Sequence, residues 1–110
     1  MPMNDYCYTL AIKQKTCENG VARTSENVYT NVVNGSEISL NFGYKVTFMS
    51  STSSYATIEI SNPEQIPNLL FNIANNNYRI FDLPVQSGTL RVYIGITRIN
   101  CSKTIVCSSI

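Results

Sequence analysis

Residues 89–96 read Thr-Leu-Arg-Val-Tyr-Ile-Gly-Ile. Leu90, Val92, Ile94 and Ile96 alternate with Thr89, Arg91, Tyr93 and Gly95. In an extended chain residues two apart share a face, so this stretch is a β-strand with one buried and one wetter side. The same period recurs outward from it. Ile38, Leu40, Phe42, Tyr44, Val46 and Phe48 alternate with Ser39, Asn41, Gly43, Lys45 and Thr47. Gly43 has no side chain to pack, so a bend there splits the segment in two or carries it from one sheet to another. Ala56, Ile58 and Ile60 form a further strand, which stops at Asn62-Pro63 because proline has no N–H for the ladder. Leu69, Phe71 and Ile73 lead into Asn75-Asn76-Asn77, which predicts a hairpin loop with residues 78–83 as the returning strand.

Tyr6, Tyr8, Leu10 and Ile12 alternate near the N-terminus, and residues 28–33 precede Asn34-Gly35, the strongest hairpin signal in the chain. A short segment, 104–106, lies between Cys101 and Cys107, and residues 63–68 have room for one 3₁₀ turn. No window sustains a 3.6-residue period. Eight or nine short strands at about ten-residue spacing predict an all-β fold, an antiparallel β-sandwich in the form of an eight-stranded jelly roll with an N-terminal extension. Residues 1–15 are expected to be a connector or donated strand, and residues 16–110 the sandwich domain.

The chain has 110 residues, enough for one domain, of which 44% are hydrophobic and 14% charged. The charged fraction is well below the roughly 25% usual for soluble domains, and the formal net charge of +1 cannot neutralise a run of phosphates. Nucleic acid is therefore not an expected partner. With no histidine, the usual Ser/His/Asp and Cys/His nucleophilic sites are excluded, as are zinc sites that mix cysteine with histidine. No catalytic residue, cofactor or metal ligand is expected, and the protein does not read as an enzyme. No stretch has the roughly 20 apolar residues of a membrane-spanning helix. The opening MPMNDYCYTL lacks the basic start and apolar run of a secretory signal peptide.

Cys7 and Cys17 lie near one end of the sequence and Cys101 and Cys107 near the other. Structural zinc prefers cysteines two to four residues apart, roughly, whereas nine residues separate the first pair and five the second. Three readings remain open: buried free thiols, disulfides within the chain, and disulfides between chains. Terminal segments are the ones free to reach a neighbour, which favours the last.

A short chain with a Cys-bearing start (Cys7 within MPMNDYCYTL), a low-charge Ser/Thr/Asn-rich strand pattern and a closing Cys101–Cys107 segment resembles the endospore appendage (Ena) pilins. The resemblance implies a jelly-roll subunit whose N-terminal connector forms disulfides with other copies while sheet edges augment one another. It casts Cys7 as the connector thiol, and Cys17, Cys101 and Cys107 as candidate acceptors. Several family members carry adjacent connector cysteines, whereas Cys7 here stands between Tyr6 and Tyr8. The implied function is a homopolymeric structural subunit of an extracellular or spore-surface filament, partnered by copies of itself. The competing expectations are a soluble carbohydrate-binding sandwich and a viral or phage structural protein.

The other signals have ordinary explanations. Asn34-Gly35-Ser36 matches a glycosylation acceptor but equally makes a turn. Glu59 and Glu64 flank Asn62-Pro63 and read as solvated strand-end charges. Tyr55 and Tyr93 suit a sugar or a base, and suit a half-buried sheet face as well. Arg79, Arg91 and Arg98 are too few for an anion site.

Overall fold

A computed structural model describes residues 7–18, 20–64, 66–86 and 88–99. Its strands are β1 (Cys7–Glu18), β2 (Val21–Val32), β3 (Glu37–Ser39), β4 (Lys45–Ser51), β5 (Tyr55–Asn62), β6 (Ile66–Ala74), β7 (Tyr78–Val85) and β8 (Gly88–Ile99). They form two four-stranded antiparallel sheets, ordered β2-β1-β8-β7 and β3-β4-β5-β6. The all-β, antiparallel sandwich expected from the sequence is the observed architecture. Neither sheet has the 4-1-2-3 order of a Greek key; every neighbouring pair is consecutive in sequence except β1 and β8.

The alternation builds the core. Tyr8, Leu10 and Ile12 of β1, with Leu90, Val92, Ile94 and Ile96 of β8, face Val46, Phe48, Ile58, Ile60 and Ile73 of the second sheet. Burying each large apolar side chain is worth about 1.5–3 kcal/mol. Tyr8 of β1 and Tyr44, the residue before β4, each reach across to the other layer. The Tyr8 hydroxyl donates to the carbonyl of Thr52 at 2.6 Å, and the Tyr44 hydroxyl donates to the carbonyl of Pro84. Aromatic contacts join the layers too, with ring centroids 5.5 Å apart for Tyr8 and Phe48 and 4.4 Å for Phe71 and Phe81. Buried polar side chains are matched with backbone groups: Gln14 Oε1 accepts from the Asn41 N–H at 2.8 Å, and Asn62 Nδ2 donates to the Phe42 carbonyl at 2.9 Å.

Several local expectations need correction. For the 38–48 segment the expected split is observed and the crossing between sheets is not: β3 and β4 are neighbours in one sheet, separated by a 3₁₀ turn over Asn41–Gly43. Phe42 (φ 62°) and Gly43 (φ 81°) both adopt left-handed backbone there, so Phe42 leaves the apolar row and is 42% exposed. The described residues of 63–68 hold no 3₁₀ turn, because β6 already begins at Ile66. Asn34-Gly35 and Asn75–Asn77 do turn the chain, yet each carries it from one sheet to the other. Long-range bonds decide this: the Gly35 N–H donates to the Phe48 carbonyl at 2.7 Å, and the Ile96 N–H donates to the Asn77 carbonyl at 3.1 Å. Thus β6 pairs with β5, and β7 with β8.

Residues 7–15, read as connector or donated strand, belong to β1, which lies between β2 and β8 in its own sheet. The 15/16 boundary falls inside this continuous strand. Tyr6 and the 104–106 segment lie outside the described residues.

Candidate functional site

A sandwich leaves four sheet edges, here β2, β7, β3 and β6. Edge strands present N–H and C=O groups to any incoming strand unless shortness, proline, charge or a bulge prevents it. β3 has three residues, β6 contains Pro67, and β7 contains Asp82 and Pro84. β2 is different. It runs for twelve residues without proline, and all but Tyr29 and Val32 are exposed. Val21 is 53% and Val28 61% exposed, and Arg23 and Glu26 are the charges on the strand.

The pairing with β1 explains why both faces of β2 are wet. Leu10, opposite Tyr29, belongs to the core, but further along the hairpin Gln14 stands opposite Ser25 and Thr16 opposite Arg23. Gln14 and Thr16 are themselves buried, Gln14 against the Asn41 backbone, but Ser25 and Arg23 opposite them are exposed, so the buried row stops at β1 and does not extend onto this part of β2. A register shift between Tyr8 and Leu10, with Asn31 at φ 57°, interrupts the ladder at the base of the hairpin. A bulge of this kind increases local twist. No described strand lies on the far side of β2.

The cysteines are separated by the same strand. Cys7 is 4% exposed at the start of β1, opposite Ile99 of β8. It is disulfide-bonded. Cys17 lies at the other end of β1, opposite Ala22 and Thr89. Ten residues of strand place the two Cα atoms about 33 Å apart, against roughly 4.4–6.8 Å in a disulfide. Cys7 and Cys17 of one chain are therefore not bonded to each other. Cys101 and Cys107 lie outside the described residues; in sequence they follow Ile99 by two and eight positions. Eight residues span at most about 29 Å, so an intrachain bond from Cys107 to Cys17 would need nearly full extension along the sheet.

The remaining sequence candidates do not converge. Arg91 forms a two-pronged ion pair with Asp82, at 2.7 and 3.1 Å, and this hydrogen bonding holds the Asp82 carboxyl below its ordinary range. Arg79 lies 5.5 Å from the centroids of both Phe71 and Phe81 at the seam of the sheets. The Arg98 backbone N–H donates to Asn75 Oδ1 at 2.7 Å. Glu59 accepts from Asn68 Nδ2 at 3.0 Å, and Glu64 is exposed. Tyr55 lies on the second sheet and is 41% exposed, whereas Tyr93 lies on the first, half-buried and stacked with Tyr78.

Sequence reasoning missed the β2 edge between Val21 and Asn27, where Val-Ala-Arg-Thr-Ser-Glu-Asn has no period-two apolar signal. It also missed Tyr78 as the stacking partner of Tyr93. Comparison with protein-family models, curated proteins and solved structures finds no match.

Proposed function

We propose that this domain is a structural subunit of a self-assembling extracellular or spore-surface filament, built by β-sheet augmentation and locked by disulfides between copies. The observation that carries the reading is β2, a twelve-residue edge without proline and exposed on both faces from Val21 to Val28. Pairing β2 with a different edge of the next copy is heterologous and open-ended, which yields a fibre; β2 against β2 would stop at a dimer. The low charge density keeps like copies from repelling strongly. The proposal does not depend on the jelly-roll form expected from the strand count and the pilin resemblance, since edge pairing works in any sandwich.

The position of the cysteines supports covalent locking and sharpens it. Cys17 is remote from Cys7 of its own chain, so it is the cysteine best placed to bond a terminal cysteine of another copy. Cys7, buried beside Ile99, is better suited to hold the two ends of the chain together. In this refinement Cys17 takes the intermolecular role that the resemblance gives to Cys7. Non-reducing SDS electrophoresis of purified protein tests the proposal. Ladders that collapse with reductant and vanish in Cys17→Ala are expected; a single monomer band under oxidising conditions overturns it. The stacked tyrosines of the first sheet favour a second reading, a carbohydrate-binding module.

A further inference from the structure

The outer face of the first sheet has a low strip beside an aromatic pair. Strand register sets Ala11, Gly95 and Tyr78 in one cross-strand row, and Lys13, Tyr93 and Ile80 in the next. Ala11 and Gly95 raise almost nothing above the sheet, so they form a floor. Tyr93 lies down toward that floor: a Cβ at position 95 would meet its hydroxyl oxygen at 3.2 Å and its Cε1 at 3.3 Å. Tyr78, 53% exposed, stacks on Tyr93 with centroids 4.9 Å apart and planes 24° from parallel.

The rim is polar and held in place by β8. The Asn76 N–H donates to the Ile96 carbonyl at 3.0 Å, and the Asn77 carbonyl accepts from the Ile96 N–H at 3.1 Å. These bonds hold Asn76 and Asn77 at one end of the strip, and Thr97 adds a hydroxyl. The resulting depression has a volume of about 220 Å³ and is lined by no charged side chain. Lys13 Nζ lies outside that lining, 6.0 Å from the Tyr93 centroid. Drug-sized ligands occupy roughly 300–1,000 Å³, so this depression suits a single ring.

We propose that this depression is a subsite for one pyranose ring of a neutral saccharide. An aromatic face packs against the C–H face of a sugar ring, while amides and hydroxyls exchange hydrogen bonds with its hydroxyls. The uncharged lining matches a ligand without charge; an anionic glycan or a nucleotide would find no cation in the wall. The site is independent of the β2 edge, so it is testable on protein that does not assemble.

The chain has seven tyrosines and no tryptophan, so intrinsic tyrosine fluorescence reports ring contacts without a competing signal. Reduced, monomeric protein is titrated with cellohexaose, xylohexaose, mannohexaose and chitohexaose, with calorimetry in parallel. At least one saturates, and Tyr78→Ala weakens it at least tenfold. Gly95→Ala weakens it as well by displacing the Tyr93 ring, whereas Tyr55→Ala on the other sheet leaves it unchanged. Because Tyr78 is on the surface, the melting temperature of Tyr78→Ala stays within a few degrees of the parent. Saturation by none of the four, affinity unchanged in Tyr78→Ala, or binding confined to anionic polygalacturonate each overturns the proposal.

Discussion

Replacing Tyr44 by phenylalanine removes one oxygen and tests how the two sheets are joined. The ring is 1% exposed, and its hydroxyl donates across the sandwich to the Pro84 carbonyl. Phenylalanine keeps the ring packing, so the change isolates the hydrogen bond. A neutral bond contributes about 1 kcal/mol net, and the abandoned carbonyl adds to the loss if water cannot reach it, for a total of about 1–2 kcal/mol. With a urea m-value of about 1–2 kcal/mol/M, the midpoint falls by about 0.5–2 M. A second signature is pH dependence. Burial pushes the Tyr44 phenol above its ordinary value of 10.0, so the unfolded chain loses that proton first as pH rises. This contribution to stability is full below about pH 10 and is lost as pH climbs from there through the folded value. Tyr44→Phe should therefore show a shallower alkaline decline than the parent. Equilibrium urea unfolding followed by far-ultraviolet circular dichroism, at neutral pH and at about pH 10.5, measures both effects. A stability change below about 0.3 kcal/mol together with an unaltered alkaline decline would refute the cross-sheet bond.

Ile94 and Ile80 lie on opposite faces of the first sheet, Ile94 fully buried and Ile80 52% exposed. Ile94→Asp should abolish cooperative unfolding, and Ile80→Asp should shift stability by no more than about 0.5 kcal/mol; similar melts for the two would contradict the strand faces. Gly43→Ala forces an L side chain into φ 81°, and calorimetry should show a loss of about 1–2 kcal/mol. Cys17→Ala should remove intermolecular ladders from non-reducing gels while leaving the reduced monomer's melting temperature unchanged within error. Cys7→Ala should lower the melting temperature of the oxidised monomer, because the disulfide that Cys7 carries is lost.

Strands with one dry face were legible in the sequence, because burial imposes a period of two on them. β4, β5 and β8 show it in Val46 and Phe48, in Ile58 and Ile60, and in Val92 and Ile94. β2 was illegible through most of its length for the same reason inverted: residues 21–28 are exposed on both faces, so no apolar rhythm marks them. Turn residues disclosed where the chain bends but not which sheet receives it. That depends on bonds such as Gly35 N–H to Phe48, between residues thirteen positions apart. Phe42 misled the apolar count because alternation cannot foresee a residue diverted into left-handed backbone. The cysteines were visible by number alone. Their separation along β1, and the openness of the β2 edge, exist only once the strands are paired.

Assembly through β2 is tested most directly by negative-stain electron microscopy of the purified, non-reduced protein beside Val21→Lys/Val28→Lys, whose lysines replace the two exposed valines of that edge. Filaments in the parent and dispersed, folded monomers in the variant are the predicted result. Dispersed monomers in both, or filaments unchanged in the variant, would contradict the account.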